Sequence, residues 1–202
     1  MRVDCCLDTK FPYLRVEALL IFINPKTINY SSHSRIIEDL TGGVFHKGLP
    51  RRLASCKDGK VFIKRHHKPI IPPKAESPLA FSTIIFVIDK DGKRLSELLH
   101  IGLMAAQRAR IHSVGLPMPR RKEFSHLLEL SEREYIAEFL LGLKLTAEEQ
   151  PRTLECVALS FFNQDQLFQQ MQQCSICVAA NDWITFSGHK GQATEKPPYA
   201  KD

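Results

Sequence analysis

The chain has 202 residues, 44% hydrophobic and 25% charged, with a formal net charge of +6. That length buries a core without metal or disulfide staples, and six cysteines are too few to make it a disulfide scaffold. The positive balance favours anionic partners, and no apolar run approaches the roughly 20 residues of a membrane helix, so no membrane partner is expected.

Asp4 and Asp8 interrupt the amino terminus and no small-residue cleavage site follows, so no signal peptide is legible. The expected place is the cytoplasm, with export by a machine that reads some other signal left open.

Residues 3–7 read as a short first strand and 16–23 as a second, strongly apolar one. Asn24-Pro25 closes it, because proline disfavours helix before it and donates nothing to a ladder. Residues 31–40 read as a short helix capped by Ser31 or Ser32, with Ile36, Ile37 and Leu40 inward. Thr41-Gly42-Gly43 breaks it. Residues 44–56 read as helical in part, interrupted at Gly48 and Pro50, and 60–64 as a strand. Four prolines in 68–78 dictate an extended, irregular loop.

Residues 81–88 are β-branched and aromatic without alternation, the pattern of a strand covered on both faces. Asp89-Lys90-Asp91-Gly92 ends it. Leu95, Leu98, Leu99, Leu103, Met104 and Ala106 then recur at helical spacing. A further strand, 111–116, runs into Pro117-Met118-Pro119-Arg120-Arg121. The resulting βαβ unit implies a crossover under a helical layer, and ligands bind beyond the carboxyl ends of such strands. The loop 117–122 lies at such an end and carries three positive charges.

Ser131-Glu132-Arg133-Glu134 is a capping box, opening a helix with the stripe Tyr135, Ile136, Phe139, Leu140 and Leu143. Residues 154–161 read as another buried strand, and Asn163 as the cap of a helix reaching about Gln173. The order predicts a three-layer α/β/α sandwich with a mixed, mostly parallel sheet. It forms one domain over 1–180, followed by a flexible polar tail over 181–202.

Glycines at 42 and 43 let backbone amides approach a pyrophosphate, with a helix end to favour the anion. The same residues fit a helix carboxyl cap. Asn24 either offers its amide to a ribose hydroxyl or turns on its own backbone. Arg120 and Arg121 suit bidentate phosphate contacts or stand as solvated charges. Glu38 and Asp39 precede the glycines and are candidates to orient a water, although helix periodicity turns both outward. His33, His46, His66, His67, His112 and His126 are scattered without metal-ligand spacing, and Cys174-Ser175-Ile176-Cys177 lacks a second pair. No metal and no cofactor are expected. Neither a Gly-x-Ser-x-Gly elbow nor a P-loop is present.

In this order the segments resemble a divergent macro domain, of the Appr-1″-p processing-like family of ADP-ribose-binding modules, over about residues 16–173. The family's apolar strand ending in Asn-Ala-Ala-Asn is echoed by Leu20-Ile21-Phe22-Ile23-Asn24-Pro25-Lys26-Thr27, in which Asn24 matches and Thr27 replaces the second asparagine. Its Gly-Gly-Val is echoed by Gly42-Gly43-Val44, and its short Leu-Pro turn by Ser113-Val114-Gly115-Leu116-Pro117. The family then supplies a Ser/Thr-Gly phosphate loop; here Met118-Pro119-Arg120-Arg121 would substitute a guanidinium for backbone amides. The family's early Gly-Asp-Ile has no clean counterpart, Asp8 being out of register.

The resemblance implies binding of ADP-ribose or a related nucleotide diphosphate, with ADP-ribose or an ADP-ribosylated protein as partner. The residues it implies are Asn24, Gly42, Gly43, Val44, Phe45, Pro117, Met118, Arg120 and Arg121, with Asn24 and Asp39 the candidates for de-ADP-ribosylating chemistry. Two alternatives stand beside it: a degenerate fold serving as a protein-interaction module, and a basic nucleic-acid-binding domain. Sparse aromatics count against the latter, since only Phe45 and Phe62 accompany the positive charges of 47–65.

Overall fold

The computed structural model describes residues 1–189 except 8, 26–30, 48, 50–52, 74, 76, 150–152, 163 and 179–184; for 54, 175–178 and 185–189 it describes the backbone alone. Among the described residues seven strands form one sheet: β1 (Arg2–Cys6), β2 (Ala18–Ile23), β3 (Val61–Arg65), β4 (Thr83–Ile88), β5 (Ser113–Pro117), β6 (Cys156–Ser160) and β7 (Thr185–His189). Their order is β3-β4-β2-β5-β6-β1-β7. Every pairing is parallel except that of β3 with β4. The helices are α1 (Ser32–Thr41), α2 (Leu95–Arg108), α3 (Ser125–Leu128), α4 (Glu132–Glu148) and α5 (Asp165–Val178). The expected three-layer sandwich is the one observed.

Burial explains the unbroken apolar runs. Every residue of β2 and of β4 is buried, and alternate side chains feed two separate cores. Leu20, Phe22, Ile85 and Val87 pack under α2, α4 and α5, whereas Leu19, Ile21, Ile84 and Phe86 pack with Ile37 of α1, Phe45 and Phe81. Each such side chain contributes about 1.5–3 kcal/mol of transfer free energy. A polar residue on either face of these strands would therefore be costly.

The helical layer is joined by a carboxylate. No side chain of α2's own flank caps its first turn. Instead Glu138 of α4 accepts hydrogen bonds from Ser96 N–H (3.2 Å) and Ser96 Oγ (2.7 Å) and pairs with the Arg94 guanidinium. Buried acceptors and orphan helix amides thus satisfy one another.

Some details differ from the expectation. Residues 44–47 form turns and Leu53–Ser55 a 3-10 turn rather than an α-helix, and Gly48 and residues 50–52 lie outside the described residues. Helix α5 runs on to Val178 and so contains Cys174-Ser175-Ile176-Cys177. Strand β7 falls within the stretch read as a tail; it takes its ladder from the free edge of β1, in register Cys6↔His189. Asp8, Lys26, Thr27, Asn163 and residues 190–202 lie outside the described residues.

Gly142 lets α4 cross α2 closely: a Cβ there would stand 2.8 Å from the Ser96 carbonyl oxygen and 3.0 Å from Leu99 Cβ. Gly142→Ala is expected to cost about 1–3 kcal/mol through overpacking. Urea unfolding should show it as a lower midpoint at unchanged slope.

Candidate functional site

Three strand ends meet on one rung of the sheet. Ser160 of β6 pairs with Cys6 of β1 on one side and with Pro117 of β5 on the other. The chain segments leaving these ends are stitched together: Phe161 N–H donates to Cys6 O (2.9 Å), Met118 N–H to Ser160 O (3.3 Å), and Ser160 Oγ to Thr9 O (2.6 Å). Above this junction, roofed on one side by α1, lies a cleft of about 460 Å³.

Each wall comes from a different element. The segment after β1 supplies Lys10, Phe11, Pro12 and Tyr13; α1 supplies His33, Ile36, Asp39 and Leu40. The turn after β5 supplies Pro117, Met118 and Arg120, and the end of β6 supplies Ser160, Phe162 and Gln164. Pro12 pre-sets the 3-10 turn Phe11–Tyr13, which buries Phe11 edge-on against His33 at 5.0 Å. That leaves Tyr13 and Phe162 as large rings 51% and 38% exposed at the rim. The Lys10 ammonium stands 5.1 Å above the Phe162 ring. The Oε1 of Gln164 is buried without a hydrogen-bond partner, an acceptor in want of a donor.

His33 sits between these groups. Burial, and then the Arg120 guanidinium, push its imidazole down to about 4, so it is neutral at pH 7.

The turn that carries Arg120 is held rigidly. The phenol of fully buried Tyr135, its ionisation pushed far up by burial, donates to Pro119 O (2.9 Å). Arg121 turns away from the cleft, donating to the carbonyls of Leu127 (3.0 Å) and Leu130. Asn24 Nδ2 donates to Glu123 O (3.1 Å), while Glu123 Oε2 accepts from Ser32 N–H (3.1 Å) at the start of α1.

The structure therefore brings Asp39, Pro117, Met118 and Arg120 together and leaves Asn24, Gly42, Gly43, Val44, Phe45 and Arg121 off the cleft lining. The reasons are local. Gly42 is the left-handed cap of α1 (φ 60°), and the N–H groups of Gly42 and Gly43 both donate to Glu38 O, which spends the amides a phosphate would use. Phe45 is 1% exposed and packs on Phe81, and Val44 joins the same core. Asn24 is buried and committed to Glu123.

Sequence reasoning missed Lys10, Tyr13, His33, Phe162 and Gln164. A faint signal existed, in that Lys10-Phe11-Pro12-Tyr13 and Phe161-Phe162 each follow a strand end with aromatic rings. Their convergence requires the β1–β6 pairing, which no local pattern encodes.

No family model matches the sequence, and no curated protein matches it either. Solved structures do match. The macro domain of ganglioside induced differentiation associated protein 2 superimposes with a TM-score of 0.60 at 16% identity, over 82% of this chain and 80% of that one. A Trypanosoma brucei macrodomain in complex with ADP-ribose follows at TM-score 0.58 and 14% identity, over 84% and 68%. An Oceanobacillus iheyensis macrodomain mutant with bound ADPR gives 0.54 and 12%, over 87% and 93%. This chain has the macrodomain fold.

Within this fold the half-buried, neutral His33 couples the cleft to pH. Its folded value of about 4 lies below the 6.5 of an exposed histidine, so between these pH values the unfolded chain binds the extra proton. Stability contributed by neutral His33 is complete above pH 6.5 and is lost as pH falls toward 4. His33→Gln should remove that loss, of the order of 2 kcal/mol, when urea unfolding at pH 7 is compared with pH 4.5.

Proposed function

We propose that the cleft binds ADP-ribose or a closely related nucleoside diphosphate. The observation that supports this best is the pairing of exposed rings with cations around one concavity: Tyr13 and Phe162 at the rim, Lys10 and Arg120 beside them. An adenine offers a flat face to such rings, and its exocyclic amino group or a ribose hydroxyl suits the unpaired Gln164 acceptor. Arg120 presents a planar fork to phosphate oxygens, and Lys10 adds a point charge. A volume of about 460 Å³ falls in the range of small-molecule sites. The solved macrodomains with ADP-ribose, ADPR and ADP in their complexes give the same ligand class.

In this reading guanidinium and ammonium groups replace the amide cradle implied by Gly42 and Gly43, whose N–H groups close α1 instead. Asp39 is the one carboxylate among the described lining residues, able to orient a water against a ribosyl bond. The reading therefore extends to release of ADP-ribose from a modified protein; a chain that binds ADP-ribose yet leaves such a protein intact limits it to binding.

Calorimetry with ADP-ribose and with ADP tests the proposal. Arg120→Ala should weaken binding by about tenfold or more, the loss of a charge-assisted hydrogen bond worth about 1.5–3 kcal/mol, with an unchanged circular dichroism spectrum. Wild-type affinity weaker than about 1 mM, or about −4 kcal/mol, rejects it.

A further inference from the structure

Away from the cleft, at the carboxyl end of β4, Asp89, Asp91 and His126 bring three ligand-type atoms within 4.8 Å of one another. Asp89 follows the strand directly and is 1% exposed. Its Oδ1 accepts Asp91 N–H at 3.0 Å. Asp91 Oδ1 accepts Ser125 N–H (3.0 Å) and lies 3.2 Å from His126 Nδ1, while its Oδ2 accepts Ser125 Oγ (3.2 Å). Neighbouring Asp58 is already engaged by the N–H groups of Lys90 (2.9 Å) and Gly92 (3.0 Å).

The arrangement leaves one contact unexplained. A carboxylate oxygen can only accept, so the Asp91 contact assigns the N–H to Nδ1 of His126. Nε2 is buried without a hydrogen-bond partner and faces Asp89 Oδ2 at 3.6 Å. Nε2 and Oδ2 thus face each other without a hydrogen bond, and among the described residues no lysine or arginine pairs with Asp89. A metal ion with bonds of about 2.0–2.2 Å to each would hold them about 3–4 Å apart, as observed. Asp91 then plays the part of the carboxylate that orients a ligating histidine through its other nitrogen.

We propose that Asp89 Oδ2 and His126 Nε2 bind a divalent first-row transition ion of the zinc class, with Asp91 as the orienting carboxylate and water completing the coordination. An imidazole beside one carboxylate oxygen suits such an ion better than magnesium or calcium, which take oxygen ligands. The ion is a positioning one. It pins α3, through His126, to the end of β4, and the turn before α3 carries Met118 and Arg120 of the cleft. In the sequence the histidines look scattered and without metal-ligand spacing because 35 residues separate Asp91 from His126.

The full chain, dialysed against EDTA, is titrated calorimetrically with zinc and with magnesium. One equivalent of zinc should bind and raise the melting temperature, with no response to magnesium. Asp91→Asn should weaken zinc by about 10–100-fold, whereas His126→Gln and Asp89→Asn should abolish that equivalent and Cys174→Ser should leave it intact. Absence of zinc binding by the wild type, or wild-type binding by His126→Gln, overturns the proposal. Cobalt loading of the wild-type chain decides the matter even if a variant fails to fold. A spectrum without a thiolate charge-transfer band supports the site, and one with such a band places the ion on cysteines and overturns it.

Discussion

Parallel pairing of β6 with β1 and with β5 brings three chain exits to one rung at Ser160. Strands pointing the same way must end at the same edge, so the segments that follow have to diverge from a common point. Divergence leaves a concavity there, which is the general reason ligands lie beyond the carboxyl ends of parallel strands. Here α1 covers one side of that concavity, and the 3-10 turn at Phe11–Tyr13 another. The cleft is thus a consequence of sheet topology, and its chemistry depends on which residues happen to follow each strand.

Polar groups buried or half-buried around the rim are already committed to the surrounding chain. Asn24, Tyr135, Arg121 and Glu123 all spend their hydrogen-bonding capacity on the segment between Met118 and Leu130 or on the start of α1. An unsatisfied buried donor costs about 1–3 kcal/mol, so residues in such positions serve the backbone before any ligand. The return is a turn held in place from three directions, with Arg120 left exposed at its apex. The backbone of that turn is thereby fixed in advance, its conformational entropy already spent in folding.

Charge and burial divide the cleft into zones. Lys10 and Arg120 supply positive potential, His33 stays neutral because an imidazolium there would be desolvated beside a guanidinium, and Asp39 faces them from α1. At the end of β4 the sign is reversed, with Asp58, Asp89 and Asp91 gathered in one bend. The same turn and short helix thus meet a cationic, aromatic cleft at one end and an acidic bend at the other.

Sequence alone determined the layers. The runs of β2 and β4, the stripe of α2 and the Ser131–Glu134 capping box are local patterns, and local patterns report which faces must be buried. Strand β7 escaped because its pairing is an edge interaction with β1 and leaves no periodic mark. For the site, Pro117, Met118, Arg120 and Asp39 were legible from their position beside a strand end or a helix. The glycines at 42 and 43 were ambiguous between a phosphate turn and a helix cap, and only the hydrogen bonds to Glu38 O decide for the cap. What tertiary structure alone decided was partnership: Lys10 with Phe162, His33 with Phe11 and Arg120, Asp89 with His126. Those pairs join residues distant along the chain, and proximity of that kind arises from strand order, which no short stretch of residues contains.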